Sequence, residues 1–348
     1  MDFFAAVTYL LVGTSSVSGL IIPRPAMEAT NLPEQIHLSW SGNPTEMYVT
    51  WATPSPSTVT SVKFGLDAAN LTSTATGTST VFVDGAKAHK VRYIHRVTLV
   101  NLVPATRYYY SCGSDAGWAT VYTFRSIQAG TEWSPRLLVY GDMGSVNARS
   151  LQEMTKEVQA DRYDLVLHVG DFAYDMDNSN GDVGDDFLRA LEPLAAIIPY
   201  VTVVGNHEQK YNFSHYRNRF TCPGNDEGMF YSINVGPLHL TVMSTEFYFF
   251  LRYGVTQIYN QYYWLAKDLT AAAENADNGW IFVAGHRPMY CSNPDMVDCN
   301  PRGNIDYAVI DSVWVQKTQP GRPVWYRGSK QTGRLLHSDR KSNARTEG

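Results

Sequence analysis

Four residues with ligand chemistry each follow a glycine at the end of an apolar run. The runs are residues 136–140, 165–169, 201–204 and 280–284, and the pairs after them are Gly141-Asp142, Gly170-Asp171, Gly205-Asn206 and Gly285-His286. One Gly-Asp pair is an ordinary turn, and one His is usually a satisfied polar side chain. Four together describe converging donors, because sites in α/β sheets lie beyond the carboxyl ends of the strands. Oxygen and imidazole donors suit Fe, Mn or Zn. None of the four cysteines (Cys112, Cys222, Cys291, Cys299) sits in these motifs. A carboxylate such as Asp171 can bridge two cations, and two cations about 3.5–4 Å apart can hold a hydroxide and clamp a phosphate.

Two kinds of rhythm position these residues. Residues 33–127 read as short strands at 35–40, 46–53, 61–65, 80–83, 91–99 and 120–125, separated by Pro, Gly, Asn and Ser turns. That spacing predicts a β-sandwich. The run Leu102-Val103-Pro104-Ala105-Thr106-Arg107-Tyr108-Tyr109-Tyr110 resembles the tyrosine corner of fibronectin type III domains. Tyr108 would then pack and hydrogen-bond back across the corner, and the domain would serve as a scaffold. Residues 128–134 read as a linker, after which strand and helix alternate. Helices are expected at 147–160, 185–198 and 259–275, and a hairpin around Gly236-Pro237. Alternation of this kind implies an α/β layered domain, placed at 135–305. The acidic run 175–186 reads as a solvated loop near the mouth of the site.

The chain has 348 residues, 44% hydrophobic and 18% charged, which fits two globular domains and excludes disorder or coiled coil as a whole-chain reading. Its 28 Lys and Arg against 33 Asp and Glu give −5, which argues against a nucleic-acid binder. Residues 316–348 carry 8 basic and 2 acidic side chains, so the remainder holds −11. The apolar run 3–13 and the small residues after it suggest a signal peptide over 1–19 and a secreted, extracellular or lysosomal protein. The run is too short for a transmembrane anchor. Cys291 and Cys299 could close a small loop if the chain is secreted. Asn70-Leu71-Thr72 and Asn212-Phe213-Ser214 are glycosylation sequons at Asn70 and Asn212.

The motifs together are specific. Gly141-Asp142-Met143-Gly144, Gly170-Asp171-Phe172-Ala173-Tyr174, Gly205-Asn206-His207-Glu208 and Gly285-His286-Arg287-Pro288 resemble four of the five metal-ligand blocks of purple acid phosphatases, in that family's order. The resemblance covers roughly residues 33–300 and extends to the branch with an N-terminal fibronectin-like domain. Related metallophosphoesterases usually carry Asp-x-His in the first block and no Tyr in the second. Here Gly144 stands where that His would be, and Tyr174 is present. The resemblance implies an acid phosphatase that hydrolyses small phosphate monoesters with a metal-bound hydroxide. It implies Fe(III) on Asp142 and Tyr174, a bridging Asp171, and a divalent ion (Fe, Zn or Mn) on Asn206 and His286. His207 would contact phosphate or protonate the leaving oxygen as the catalytic residue. Arg287 reads either as a phosphate contact or as a salt bridge. His37, His89, His95, His168, His215 and His239 read as structural.

The family's fifth block, Gly-His-x-His, is not found in these residues. After His286 the next histidine is His337, which has no second His nearby. From somewhere between Arg302 and Gln316 the resemblance stops, and the basic tail 316–348 reads as disordered. The expectation is a C-terminally truncated or altered form whose α/β domain is incomplete, with the strands that finish its second sheet missing. The alternative to an acid phosphatase is an inactive secreted isoform or binding protein.

Overall fold

Alternating apolar and polar residues lay nine strands into the first domain. The computed structural model describes residues 31–146, 148–224 and 228–287, and the backbone of three later strands. The nine are β1 (Glu34–Ser39), β2 (Met47–Thr53), β3 (Ser61–Gly65), β4 (Ser73–Thr76), β5 (Thr78–Val83), β6 (Val91–Leu99), β7 (Arg107–Ser114), β8 (Gly117–Trp118) and β9 (Tyr122–Arg125). They form two antiparallel sheets, β1-β2-β6-β5 and β4-β3-β7-β8, with β9 also on β7. Between the sheets lie Leu38, Val49, Trp51, Val62, Tyr110 and Phe124. The Tyr108 hydroxyl accepts from the Val103 N–H at 2.9 Å, closing the corner expected from the sequence.

The second domain begins with three parallel strands, β10 (Leu137–Tyr140), β11 (Leu165–Val169) and β12 (Tyr200–Val203). Strands covered on both faces read as continuous apolar runs, as these do. Helices α1 (Leu151–Gln159) and α2 (Asp182–Ala195) make the crossovers, and α3 (Lys210–Arg219) follows β12. A second sheet starts with β13 (Tyr231–Val235) antiparallel to β14 (Leu238–Val242). After α4 (Thr256–Glu274), β15 (Trp280–Ala284) joins β14 in parallel. The sheets pack face to face through Val139, Leu167 and Val203 on one side and Ile233, Leu240 and Phe282 on the other. The helices after β10 and β11 cover the outer face of the first sheet, and α4 covers that of the second through Leu265 and Leu269. The chain is thus an all-β sandwich followed by an α/β sandwich.

Two expectations need revision. The edge of β15 is paired: the described backbone at β16 (Val313–Lys317), β17 (Val324–Arg327) and β18 (Leu336–His337) continues the second sheet. An open strand edge and the β-formers of Val313-Trp314-Val315 and Val324-Trp325-Tyr326 account for this. The other residues of 316–348, the segment 1–19, and Cys291 with Cys299 lie outside the described residues. The acidic run 175–186 is only partly a loop, since α2 starts at Asp182, and Asp185 is buried rather than solvated. Its carboxylate is taken by two arginines, Arg92 from the sandwich and Arg219 from α3.

Candidate metal centre

The parallel register places Tyr140 beside His168 and His168 beside Thr202, so β10, β11 and β12 end together. Asp142 follows β10, Asp171 follows β11, and Asn206 follows β12. His286 arrives from the second sheet after β15. The loops are stitched to one another: the Asp142 N–H donates to the Gly170 carbonyl at 3.1 Å, and the Gly144 N–H to the Phe172 carbonyl at 2.8 Å. The glycines before the donors have a steric cause. Gly170 has φ 76°, and a Cβ there would lie 2.6 Å from His286 Nδ1. A Cβ on Gly205 would lie 2.3 Å from Asp171 Oδ1.

One ligand atom each from Asp142, Asp171 and His286 lies within 4.8 Å of the others. Asp142 is exposed, whereas Asp171 and His286 are buried. His286 Nδ1 lies 2.9 Å from the Val169 carbonyl, which makes Nδ1 the protonated donor. Its Nε2 therefore faces Asn206 Oδ1 at 3.0 Å and Asp171 Oδ2 at 3.4 Å. Burial opposes charge on His286, but the hydrogen bond and charge of Asp171 outweigh it and hold the pKa up at about 10. Burial likewise opposes charge on Asp171, and His286 overrides it, so that carboxyl titrates below its usual range. These carboxylates demand a positive charge at this point. Two carboxylates and an oriented imidazole nitrogen form a donor set that fits a hard or borderline cation.

Tyr174 stands at the rim, and its hydroxyl donates to Asp142 Oδ1 at 3.1 Å. Burial and the charges of Asp142 and Asp171 push its phenol up from the ordinary value. The rings of Tyr174 and His207 lie 4.4 Å apart. His207 Nδ1 is 2.9 Å from Asp175 Oδ1, its backbone N–H donates to Asp171 Oδ1 at 3.0 Å, and its Nε2 is 3.9 Å from Asp171 Oδ2. Burial lowers the His207 pKa, but the bond to Asp175 and the charge of Asp171 leave it raised. Arg287 is engaged in a salt bridge. Its Nε reaches both oxygens of buried Glu246 at 3.0 and 2.9 Å, and the guanidinium stacks 3.8 Å over Phe249. Asn70 and Asn212 are both exposed.

Glu208 carries no role in the sequence reading, yet it joins two of the loops. One carboxylate oxygen accepts from the Asp171 and Gly205 N–H groups, both at 2.9 Å, and the other from the Phe172 N–H at 3.0 Å. Its place beside Asn206-His207 was the only available signal, because burial is not legible in a tetrapeptide. Asp175, which orients His207, was hidden in an acidic run. The remaining histidines are tied into the fold: His95 to Thr53 and Thr60, His215 to Asp84, His239 to Asp268, and His168 to Tyr200. His37 meets the Gln35 carbonyl, and His89 that of Asp84.

The signature described as calcineurin-like phosphoesterase matches residues 135–310, and that of the purple acid phosphatase N-terminal domain matches residues 33–126. The chain belongs to the calcineurin-like phosphoesterases, and its first domain matches the purple acid phosphatase N-terminal domain. It is similar to acid phosphatase type 7 of Homo sapiens, 49% identical over 269 residues, covering 77% of this chain and 61% of that protein. The Mus musculus protein of the same name is 50% identical over 269 residues, with the same coverage of 77% and 61%. The chain thus spans about three fifths of the length of these relatives. In fold it resembles the purple acid phosphatase PPD1 from yellow lupin (Lupinus luteus) seeds, with a TM-score of 0.66 and 23% identity. That likeness covers 79% of this chain and 55% of PPD1.

Proposed function

We propose that the chain is an acid phosphatase that hydrolyses small phosphate monoesters at a dinuclear metal centre. The observation that carries this reading is the convergence of Asp142, Asp171 and His286 to within 4.8 Å at the strand ends. Asp142 and Tyr174 would hold a ferric ion, Asp171 would be shared, and Asn206 and His286 would hold a divalent Fe, Zn or Mn. Bound ions would supply Lewis-acid polarisation of the phosphoryl group and activation of water.

The side chains have separate tasks. The Val169 carbonyl fixes the His286 tautomer and leaves Nε2 as the donor atom. Asp175 does the same for His207: with Nδ1 engaged, Nε2 is the atom left to hold a proton for the leaving oxygen. Glu208 holds the Asp171 and Gly205 backbones at fixed separation. Arg287 is committed to Glu246 and supports the loop after β14 rather than the phosphate. The names of the type 7 relatives support the acid phosphatase reading.

Secretion is part of the same proposal. Exposed Asn70 and Asn212 can receive carbohydrate, and among the described residues no helix is long and apolar enough to cross a membrane. A second reading is a phosphatase scaffold without turnover. Turnover of p-nitrophenyl phosphate near about pH 5 separates the two. The proposal expects hydrolysis that is abolished by Asp171→Ala and falls about a hundredfold or more in His207→Gln. Equal rates in all three proteins would overturn it.

A further inference from the structure

The segment from Tyr174 to Gly181 follows a path that its own sequence does not favour. Its backbone takes left-handed angles at Tyr174, Asp175, Ser179, Asn180 and Gly181, with φ of 53°, 79°, 54°, 58° and 82°. Gly adopts this region freely, and Asp and Asn visit it, but Tyr174 pays a steric cost. A path like this persists only where the surroundings over-determine it.

Those surroundings come from both domains. Arg92, buried on β6 of the sandwich, donates through Nη2 to the Asn180 carbonyl at 2.8 Å. The same guanidinium grips Asp185 on α2, with Nε at 2.7 and 2.9 Å and Nη2 at 2.7 Å. Arg219, buried at the end of α3, donates to the Gly181 carbonyl at 2.9 Å and to Asp185 Oδ1 at 2.8 Å. Gln35 on β1 reaches both Asp185 and Arg219. Lys90, also from the sandwich, pairs with Asp182. At its other end the same segment carries Tyr174 and Asp175, which meet Asp142 and His207.

We propose that Arg92 is a positioning residue for the site. From the sandwich it fixes the Tyr174–Gly181 segment and, through Asp175, the orientation of His207. The sandwich is then a brace for the chemistry as well as a scaffold. The catalytic half of this proposal rests on the phosphatase reading above; the mechanical half does not.

The test uses the full chain with Arg92→Lys and Gly181→Ala. Lysine keeps a charge for Asp185 but cannot also serve the Asn180 carbonyl as a planar fork does. At Gly181 a Cβ would meet Arg92 Nη2 and His215 Cε1, both at 2.8 Å, so the second variant disturbs the Arg92 contact, together with His215, with Arg92 itself intact. Val49→Ala, in the sandwich core, is the control for general loss of stability. Hydrogen exchange is read on the metal-free chain at the amides of Asn178, Gly181 and Asp182, which bond within the segment. The brace predicts exchange at least about tenfold faster in both variants and within about twofold of wild type in Val49→Ala. On p-nitrophenyl phosphate it predicts kcat lower by about ten- to a hundredfold with KM within about twofold. Segment amides that exchange as in the parent chain would overturn the brace. Faster exchange with unchanged kcat would overturn its link to catalysis. A parent chain without turnover would refute the phosphatase reading, and the exchange result would still decide for or against the brace.

Discussion

Gly170→Ala tests whether the site is as tightly built as the contacts imply. The new methyl would sit 2.6 Å from His286 Nδ1 and 2.8 Å from the Gly205 Cα, closer than real Cβ atoms come to neighbours. Gly205 cannot retreat easily, because its N–H is held by Glu208. The His286 ring must therefore move by several tenths of an ångström, which breaks its 2.9 Å bond to the Val169 carbonyl. Placing Ala at φ 76° costs about 1–2 kcal/mol. Losing the His286 bond adds about 1 kcal/mol, for a total of about 2–3 kcal/mol. Under the proposed metal centre, misorienting His286 weakens metal binding by about 10–100-fold. Gly130→Ala is the matched control, since Gly130 has φ 74° with nothing within 4 Å, so it carries the strain without the clash. The assays are urea unfolding of the metal-free proteins and metal titration against a chromophoric chelator. A Gly170→Ala protein that matches Gly130→Ala in both stability and metal affinity would refute the reasoning.

Burial pushes the pKa of His37 and His95 down to about 4 in the folded chain, with Arg96 adding to the effect at both. The unfolded chain takes up these protons near pH 6.5, so the two sites' full stability is present above that value and drains as pH falls towards about 4. Each costs about 2 kcal/mol between pH 6.5 and 5, so His95→Gln should lose about 2 kcal/mol less than its parent over that range. Equal losses by urea midpoint would sink the idea. Tyr108→Phe removes the acceptor for the Val103 N–H and should cost about 1 kcal/mol, read by thermal unfolding, with metal content unchanged. A cost below about 0.3 kcal/mol would mean the corner bond adds nothing net.

The candidate donor residues stood out in the sequence because each carries its own punctuation: an apolar strand, a glycine, then a residue able to bind a metal. The structure shows why, since Gly170 and Gly205 stand where a side chain would strike His286 or Asp171. The tyrosine corner was legible for a similar local reason. What the sequence hid was long-range. Helix α3 has little amphipathic pattern and passes through left-handed angles at Tyr211, Asn212 and Phe213, so no periodicity announces it. Asp185 looked like one of several solvated acids, and only the approach of Arg92 and Arg219, 93 and 34 residues away, makes it a buried partner. Glu208 gave no sign that it would hold three backbone N–H groups. The strands beyond residue 316 were read as tail because the stretch is basic overall, although Val313-Trp314-Val315 and Val324-Trp325-Tyr326 carry β-formers for a waiting sheet edge.

The central claim is that the strand-end cluster is a metal centre, and elemental analysis of the folded chain tests it most directly. The sample is protein from a eukaryotic host, compared with Asp171→Asn, which keeps the shape of the side chain and removes its charge. The account predicts about one to two equivalents of iron, zinc or manganese in the parent and a loss of most of it in the variant. A well-folded parent without bound metal, or a variant that retains the parent's content, would contradict it.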